Sequence, residues 1–200
     1  MPWQVEILND TVVKEIDALP ADIYARFLRL ADRITLVGLE SLGEPHIKHL
    51  EGKLWEMRLT GRDGIARALY VTATGKRVVV VRAFVKKDTE NATCRDRAGF
   101  HAGEGGSMTI PYEEFKARAL ANPEVRAEYE ALAPEFEIAV ELIQARMRAG
   151  LSQAELAALM NTSQSTIARL ESGQTLPSTK TLLRFAEATG SKIQVRLFAA

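Results

Sequence analysis

The sequence contains little cysteine, little histidine and no long apolar run. Cys94 is its one cysteine, and it has three histidines among 200 residues. A single cysteine cannot form an intrachain disulfide, so a reducing cytoplasm is the expected location. The histidines match no zinc-ligand spacing, and neither a metal nor another cofactor is expected. No stretch reaches the roughly 18 apolar residues of a membrane span, and the first residues lack a signal-peptide pattern.

Net charge is also absent, because 26 basic residues balance 26 acidic ones. This balance conceals a division along the chain. Residues 46–87 contain ten basic and three acidic residues, whereas residues 111–141 contain eight acidic and three basic ones. Two such segments can attract each other, or the basic segment can bind nucleic acid. Chance clustering on a solvated surface is the alternative.

The first half of the chain has the pattern of a small α+β domain. "WQVEILN" alternates like a strand, and two amphipathic helical patterns follow it on either side of Pro20. Three strand-like runs come next: "LWEMRLT", "IARALYVTA" and "RVVVVRAFV". Short turns join these runs, so the expected arrangement is an antiparallel sheet with two helices on one face.

The second half has helical periodicity almost to its end, where "KIQVRLF" alternates like a terminal strand. Ser152 and Ser163 stand where helix N-caps belong. Asn161 and Thr162 form a turn between the two short helices that these serines begin. This pattern predicts a helix-turn-helix, whose second helix enters the DNA major groove.

The leading end of that second helix supplies the candidate DNA contacts. Glutamine pairs with adenine, arginine with guanine or phosphate, and hydroxyl groups with bases or phosphates. The candidates at this end are Ser163, Gln164, Ser165, Thr166 and Arg169, and Gln153, at the start of the first helix, is a further candidate DNA contact. The alternative is a helical hairpin whose polar residues face solvent. With its flanks "ARMRAGLSQAELA" and "ESGQTLPSTKTLLRFAEATG", the segment resembles the XRE/Cro-type helix-turn-helix family.

The longer frame from Met108 onward resembles HigA-type antitoxins, which carry an acidic helical extension before this module. The resemblance implies a protein that binds and neutralises its toxin, within or between chains, and represses its own operon as a homodimer on operator DNA. In a fusion of the two, the toxin half is expected to be masked or inactive. The segment as a whole is not basic. Phosphate contacts would therefore come from local donors such as Gln153, Thr162 and Lys180 and from helix N-termini.

The first half resembles HigB/RelE-type toxins of the phage-derived Gp49-like subgroup, from about Trp3 to Lys87. "KHLEGKLWEMR", "RALYV" and "AFVKK" carry the resemblance. It implies an enzyme that cleaves mRNA without a metal ion, usually while the mRNA is held in the ribosome. A DNA-binding regulator whose first domain is only a dimerisation or sensor module is the main alternative.

RNA cleavage of this kind requires a proton acceptor for the 2′-hydroxyl and cations that stabilise the phosphate charge. Arg67 is the first candidate cation and Arg58 the second. Candidate residues for proton transfer or base contact are Lys86, His46, His49 and Tyr70. Further candidates for RNA binding are Lys48, Lys53, Arg82 and Lys87.

These candidates also have structural alternatives. Glu56 or Asp63 can pair with the strand arginines across a sheet. Both histidines can be surface residues. Lys86 and Lys87 can protect an edge strand from aggregation.

The predicted domains are a toxin-like domain at 1–87, an irregular linker at 88–107 and an antitoxin-like domain at 108–200, with its helix-turn-helix at about 135–190. The linker is rich in glycine and ends at Met108. When the codons of the linker are read in a frame shifted by one base, they can encode a helix-like segment. In the same shifted frame, the codons of Met108 and Thr109 contain a stop codon. We therefore expect two genes joined by a frameshift; an ordinary evolved linker is the alternative.

Overall fold

The computed structural model describes residues 2–42, 47–62, 64–85 and 109–196. The chain forms two compact units, Met1–Leu132 and Ala133–Ala200, called here the N-terminal and C-terminal units. Residues 109–132, which the sequence analysis groups with the C-terminal domain, therefore fold with the N-terminal unit. The linker predicted at 88–107 lies outside the described residues, and the gene boundary there stays a prediction.

The N-terminal unit contains a six-stranded mixed sheet with the strand order β2-β3-β4-β5-β1-β6. β1 is parallel to β5, and the other neighbouring strands are antiparallel. The strands are β1 (Gln4–Ile7), β2 (Ile47–Glu51), β3 (Leu54–Thr60), β4 (Ile65–Ala73), β5 (Arg77–Val85) and β6 (Ile110–Pro111).

The predicted meander is confirmed, because β3, β4 and β5 coincide with the three strand-like runs. β2 was not expected, since "GEPHIKHLEG" combines glycine, proline and charged residues that are typical of a loop. Its backbone pairs with β3, from Ile47 opposite Met57 to Glu51 opposite Leu54. Pairing with a neighbouring strand therefore overrides the local sequence preference.

Helices α1 (Asp10–Asp17) and α2 (Ala21–Val37) cover one face of the sheet, and a short 3-10 helix, Leu39–Ser41, follows them. The Asn9 side chain accepts hydrogen bonds from the first free amides of α1. Gly38 ends α2 with φ +85°, a conformation that favours glycine. Both predicted helices are thereby confirmed.

Two further helices of the N-terminal unit come from the acidic part of the sequence. They are α3 (Tyr112–Ala119) and α4 (Pro123–Ala131). α3 packs against β1, and α4 packs along α2. Their apolar side chains therefore join the core on the helical face of the sheet.

The C-terminal unit is helical, with a small core of its own. Its helices are α5 (Ala133–Arg148), α6 (Gln153–Leu159), α7 (Gln164–Glu171) and α8 (Thr179–Thr189). The Ser152 hydroxyl accepts from Glu155 N and the Glu155 carboxylate accepts from Ser152 N, which closes a capping box at α6. Across the described ranges, every helix is too short or too polar to cross a membrane.

The terminal strand predicted for "KIQVRLF" is wrong over residues 191–196, which are irregular. A strand must pair its backbone N–H and C=O groups with a neighbour. No other described segment of the C-terminal unit is a strand, so alternation at Ile193 and Val195 has nothing to pair with.

Candidate nucleic-acid interfaces

A pair of arginines on the central strands is the first candidate interface. The register of β3 and β4 places Arg58 directly opposite Arg67. Glu56, two residues before Arg58, lies on the same face because strand side chains alternate. Its Oε2 accepts from Arg67 Nη1 at 2.6 Å, and its Oε1 lies 3.7 Å from Arg58 Nη2. One carboxylate therefore holds both guanidinium groups.

Burial differs sharply within this group. The Glu56 side chain is 2% exposed, while Arg67 is 24% and Arg58 is 41% exposed. Within the described part of the chain, Arg67 Nε is buried without a hydrogen-bond partner. The expected structural role, pairing with Glu56, thus describes both arginines. It also leaves guanidinium nitrogens at the surface, where phosphate oxygens can bind.

Lys48 belongs to the same face, because it pairs with Glu56 across β2 and β3. Its side chain is exposed. Leu69, opposite Glu56, and Phe84, opposite Arg67, add apolar side chains beside the cations. Arg82 also belongs to this face, because it lies opposite Leu69. This face therefore combines four cationic side chains with an apolar cluster.

His49 and Tyr70 lie on the other face, so the prediction that they share one site with Arg67 is not met. The reason is that side chains alternate between the two faces along each strand. His49 lies opposite Trp55, and Trp55 lies opposite Tyr70, so these three residues share one face. Glu56, next to Trp55 in the sequence, lies opposite Leu69 on the other face. Tyr70 is fully buried beneath the helices, and burial raises the pKa of its phenol above the ordinary value. It cannot stack on a base in this position.

The remaining candidates of the N-terminal unit differ in their surroundings. Lys53 is exposed in the turn between β2 and β3. Arg82 is ion-paired through Nε to Glu15 Oε1 of α1 at 2.8 Å. Lys86, Lys87 and His46 lie outside the described residues.

The leading end of α7 is the second candidate interface. Ser163, Gln164, Ser165 and Arg169 are exposed there, and Thr166 is half-buried. Ser163 Oγ accepts from Thr166 N at 3.2 Å and lies 2.9 Å from the Ser165 and Thr166 hydroxyls. Ser163 therefore acts first as a helix cap, as the sequence predicts. Gln164 and Arg169 present side chains of the types that read base edges.

A buried ion pair fixes α7 within its unit. Arg146 donates to Glu171 through Nε at 2.6 Å and Nη2 at 3.0 Å, and through Nη1 to Leu151 O at 3.0 Å. Gln153 Nε2 donates to Glu171 Oε2 at 2.8 Å. The amide of Gln153 is thus partly committed inside the protein, which limits its predicted role as a phosphate donor.

Sequence reasoning missed Glu171 and Arg146, and it treated Glu56 only as a possible partner. A signal was present in each case. Glu171 lies on the helix face of the buried Ile167, where an acidic residue requires a cation. Glu56 lies on the same face of β3 as Arg58, because the two residues are two positions apart. A cationic side chain opposite them on the neighbouring strand is therefore expected to pair with Glu56.

The fold and these surfaces define a small α+β domain joined to a helix-turn-helix domain. Residues 14–96 match the family described as Phage derived protein Gp49-like (DUF891), and residues 142–195 match the family described as Helix-turn-helix. The chain therefore has the architecture of a toxin–antitoxin-like fusion, with a Gp49-like domain joined to an XRE-type, DNA-binding helix-turn-helix domain. A search of curated proteins found no match to the chain.

Proposed function

We propose that the N-terminal unit is an endoribonuclease of the HigB type that cleaves mRNA in the ribosome without a metal ion. The observation that carries this proposal is the pair Arg58 and Arg67, adjacent across two strands and partly exposed. Guanidinium groups in this arrangement can bind two phosphate oxygens and stabilise the charge that develops as the 2′-hydroxyl attacks. Glu56 acts as a positioning residue that orients both.

The proposal is tested by mRNA cleavage with the full chain and added ribosomes, at a Mg²⁺ concentration that keeps the ribosomes intact. Arg67→Ala is expected to lower the cleavage rate at least about 100-fold, as loss of one charge-stabilising donor typically does. Arg77→Ala is the matched control. Arg77 is also a strand arginine ion-paired to a glutamate, Glu6, at 2.7 Å, and its loss should leave the rate nearly unchanged.

One observation favours a different function, a DNA-binding regulator whose N-terminal unit has no chemistry. Both arginines already have a carboxylate partner, and His49 and Tyr70 lie on the opposite face. Under this alternative, neither the full chain nor any variant cleaves RNA. Ribosome-dependent cleavage that disappears in Arg67→Ala would exclude it.

We propose that the C-terminal unit acts as a HigA-type antitoxin that binds operator DNA upstream of its own gene and represses it. Exposed Gln164 and Arg169 at the leading end of α7 support base readout. Gln164→Ala should weaken binding to this DNA about 5- to 100-fold, the usual effect of losing a bidentate base contact. Equal weakening for unrelated DNA would instead indicate a loss of general phosphate binding.

The same proposal includes a homodimer in the cytoplasm, because a twofold protein fits a palindromic operator. Leu176 and Leu183 are more than half exposed in the C-terminal unit, which supports an apolar contact between copies. Analytical ultracentrifugation of the intact chain tests this, and Leu183→Ser should shift it towards monomer.

We also propose that residues 88–107 join two genes through a one-base frameshift. The support is the start-like Met108 after a glycine-rich segment that has no helical period. The nucleotide sequence around codon 88 decides the question. Stops throughout the shifted frame would leave an ordinary linker as the explanation.

A further inference from the structure

The segment 109–131, called here the strap, packs on the N-terminal unit through contacts with residues far away in the sequence. At its start, Thr109 Oγ1 donates to Glu6 Oε2 at 2.6 Å. Ile110 and Pro111 then pair antiparallel with β1, which extends the sheet by one short strand. The strap therefore enters the unit by adding backbone hydrogen bonds to a sheet edge.

Apolar side chains of the strap fill the surface of α2. Phe115 is fully buried, with its ring edge-on to Phe27 at 6.1 Å and tilted against Tyr24 at 5.9 Å. Tyr112 and Val125 join the same core. Apolar contacts of this kind supply affinity but little selectivity, because any well-sized apolar residue can replace them.

A buried carboxylate on α2, Asp32, supplies the selectivity. Lys116 Nζ donates to its Oδ1 at 2.7 Å, and Tyr129 Oη donates to its Oδ2 at 2.6 Å. Tyr112 Oη lies 2.9 Å from Oδ1 and 2.8 Å from Leu28 O. All three of these side chains belong to the strap. A segment without them would bury Asp32 with its charge unmatched, which disfavours binding.

Contacts at the edge of this surface are weaker. Arg29 donates to Tyr129 O through Nη2 at 2.7 Å and its guanidinium lies 3.6 Å from the Tyr129 ring centroid. Arg62 pairs with Glu128, and Arg118 with Asp17 at 3.4 Å. These outer ion pairs are partly exposed and contribute less than the buried group around Asp32.

We infer that α2 is a docking surface for the strap, with Asp32 as its specificity-determining residue, and that the two remain bound when the chain between them is cut. The inference deepens the proposed toxin–antitoxin pairing by naming the contact that holds the halves together. The strap lies on the helical face, whereas Arg58 and Arg67 project from the other face of the sheet. Docking therefore joins the halves without occupying the arginine pair.

The test uses the full chain with a protease site inserted between residues 88 and 108. After cleavage, the two pieces are expected to co-migrate in size-exclusion chromatography and to sediment together on dilution. Immediate separation of the pieces would overturn the inference. Because the readout is association, absence of RNA cleavage or of operator binding leaves this test intact, and failure here leaves those proposals standing.

Asp32→Asn is the variant that tests the specificity claim. It keeps the shape but presents an amide to donors, so the dissociation constant of the cut pieces should rise about 10- to 100-fold. Glu128→Gln, which removes an outer ion pair, is the matched control, with an expected rise below about 5-fold. An equal rise for the two variants would refute the role of Asp32.

A double-mutant cycle separates a direct contact from general damage to the fold. Lys116→Met should weaken association in the native background and have at least about 3-fold less effect beside Asp32→Asn. Full additivity would contradict the contact. Circular dichroism of each uncut variant confirms that the chain is folded before cleavage.

Discussion

Each unit of this protein buries a glutamate that binds arginine, but the two pairs differ in what they leave exposed. In the C-terminal unit, Glu171 and Arg146 are both buried, with side chains 3% and 8% exposed. In the N-terminal unit, Glu56 is equally buried, yet its partners Arg58 and Arg67 reach the surface. Pairing of a buried glutamate with arginine therefore gives a fully buried ion pair in the C-terminal unit and a partly exposed pair of arginines in the N-terminal unit.

The difference indicates how structural and functional ion pairs can be distinguished. A guanidinium whose nitrogens are all engaged inside the protein has no donor left for a ligand. Arg146 uses Nε, Nη1 and Nη2 internally. Arg67 is held to Glu56 through Nη1, at 2.6 Å. A partly exposed arginine on a buried carboxylate is thus oriented in advance for an anion.

The largest effect is expected from breaking the buried ion pair between Glu171 and Arg146. Glu171→Gln leaves Arg146 buried without its counter-charge, so the free energy of opening of α6 and α7 should fall by about 3–5 kcal/mol. Native-state hydrogen exchange in the intact chain measures this. Glu141→Gln, at an exposed glutamate of α5, should change it little. A loss below about 1 kcal/mol would show that this ion pair does not hold α6 and α7 in place.

Glu56→Gln should have a smaller effect, because Arg58 and Arg67 can turn to water when the carboxylate charge is lost. The expected loss is about 1.5–3 kcal/mol in the opening free energy of β3 and β4 amides. The same exchange experiment measures it. A loss as large as that of Glu171→Gln would erase the distinction between the two pairs.

The smallest effect concerns Glu6 and Arg77, a third pair, at the β1–β5 junction. Hydrogen bonding from Arg77 lowers the pKa of Glu6 below its ordinary 4.5, although burial opposes this. Because the folded-state pKa is the lower one, the stabilisation is present above about pH 4.5 and is lost as the pH falls through the folded-state pKa. Glu6→Gln should cost about 0.5–1 kcal/mol at neutral pH.

Urea unfolding across the acid range checks this last prediction. The native chain should lose stability relative to Glu6→Gln as the pH falls below about 4.5. Parallel pH profiles for the two proteins would contradict the assignment. Thr109 also donates to Glu6, so the substitution additionally probes the first contact of the strap.

Much of the N-terminal sheet was predictable because β-branched and apolar runs mark β3, β4 and β5. β2 was not, since its sequence is polar and it exists only by pairing with β3. The terminal strand failed for the converse reason: the alternation of Ile193 and Val195 has no partner strand in the described part of the C-terminal unit. Local patterns identify segments that can pair, but pairing itself is a property of the whole fold.

The arginine pair was predictable in part for a similar reason. Residue types selected Arg58, Arg67, His49 and Tyr70, but strand parity then divided them between the two faces. The face on which each residue lies depends on the register across the turns, which sequence alone does not determine. Helix caps are local, so Ser152 and Ser163 were placed correctly. Asp32 acquired its role from residues about eighty positions away.

During biosynthesis, the strap is made later than the surface of α2 that it covers. The fifth strand of the N-terminal sheet ends at Val85, but the helix that completes the α2 surface ends at Ala131. At about 5–20 residues per second, a ribosome needs about 2–9 s to make the intervening chain. During that interval Phe27 and Tyr24 lack their cover on the nascent polypeptide. Chaperone capture should therefore peak in this window and fall once the last turn of α4 has emerged.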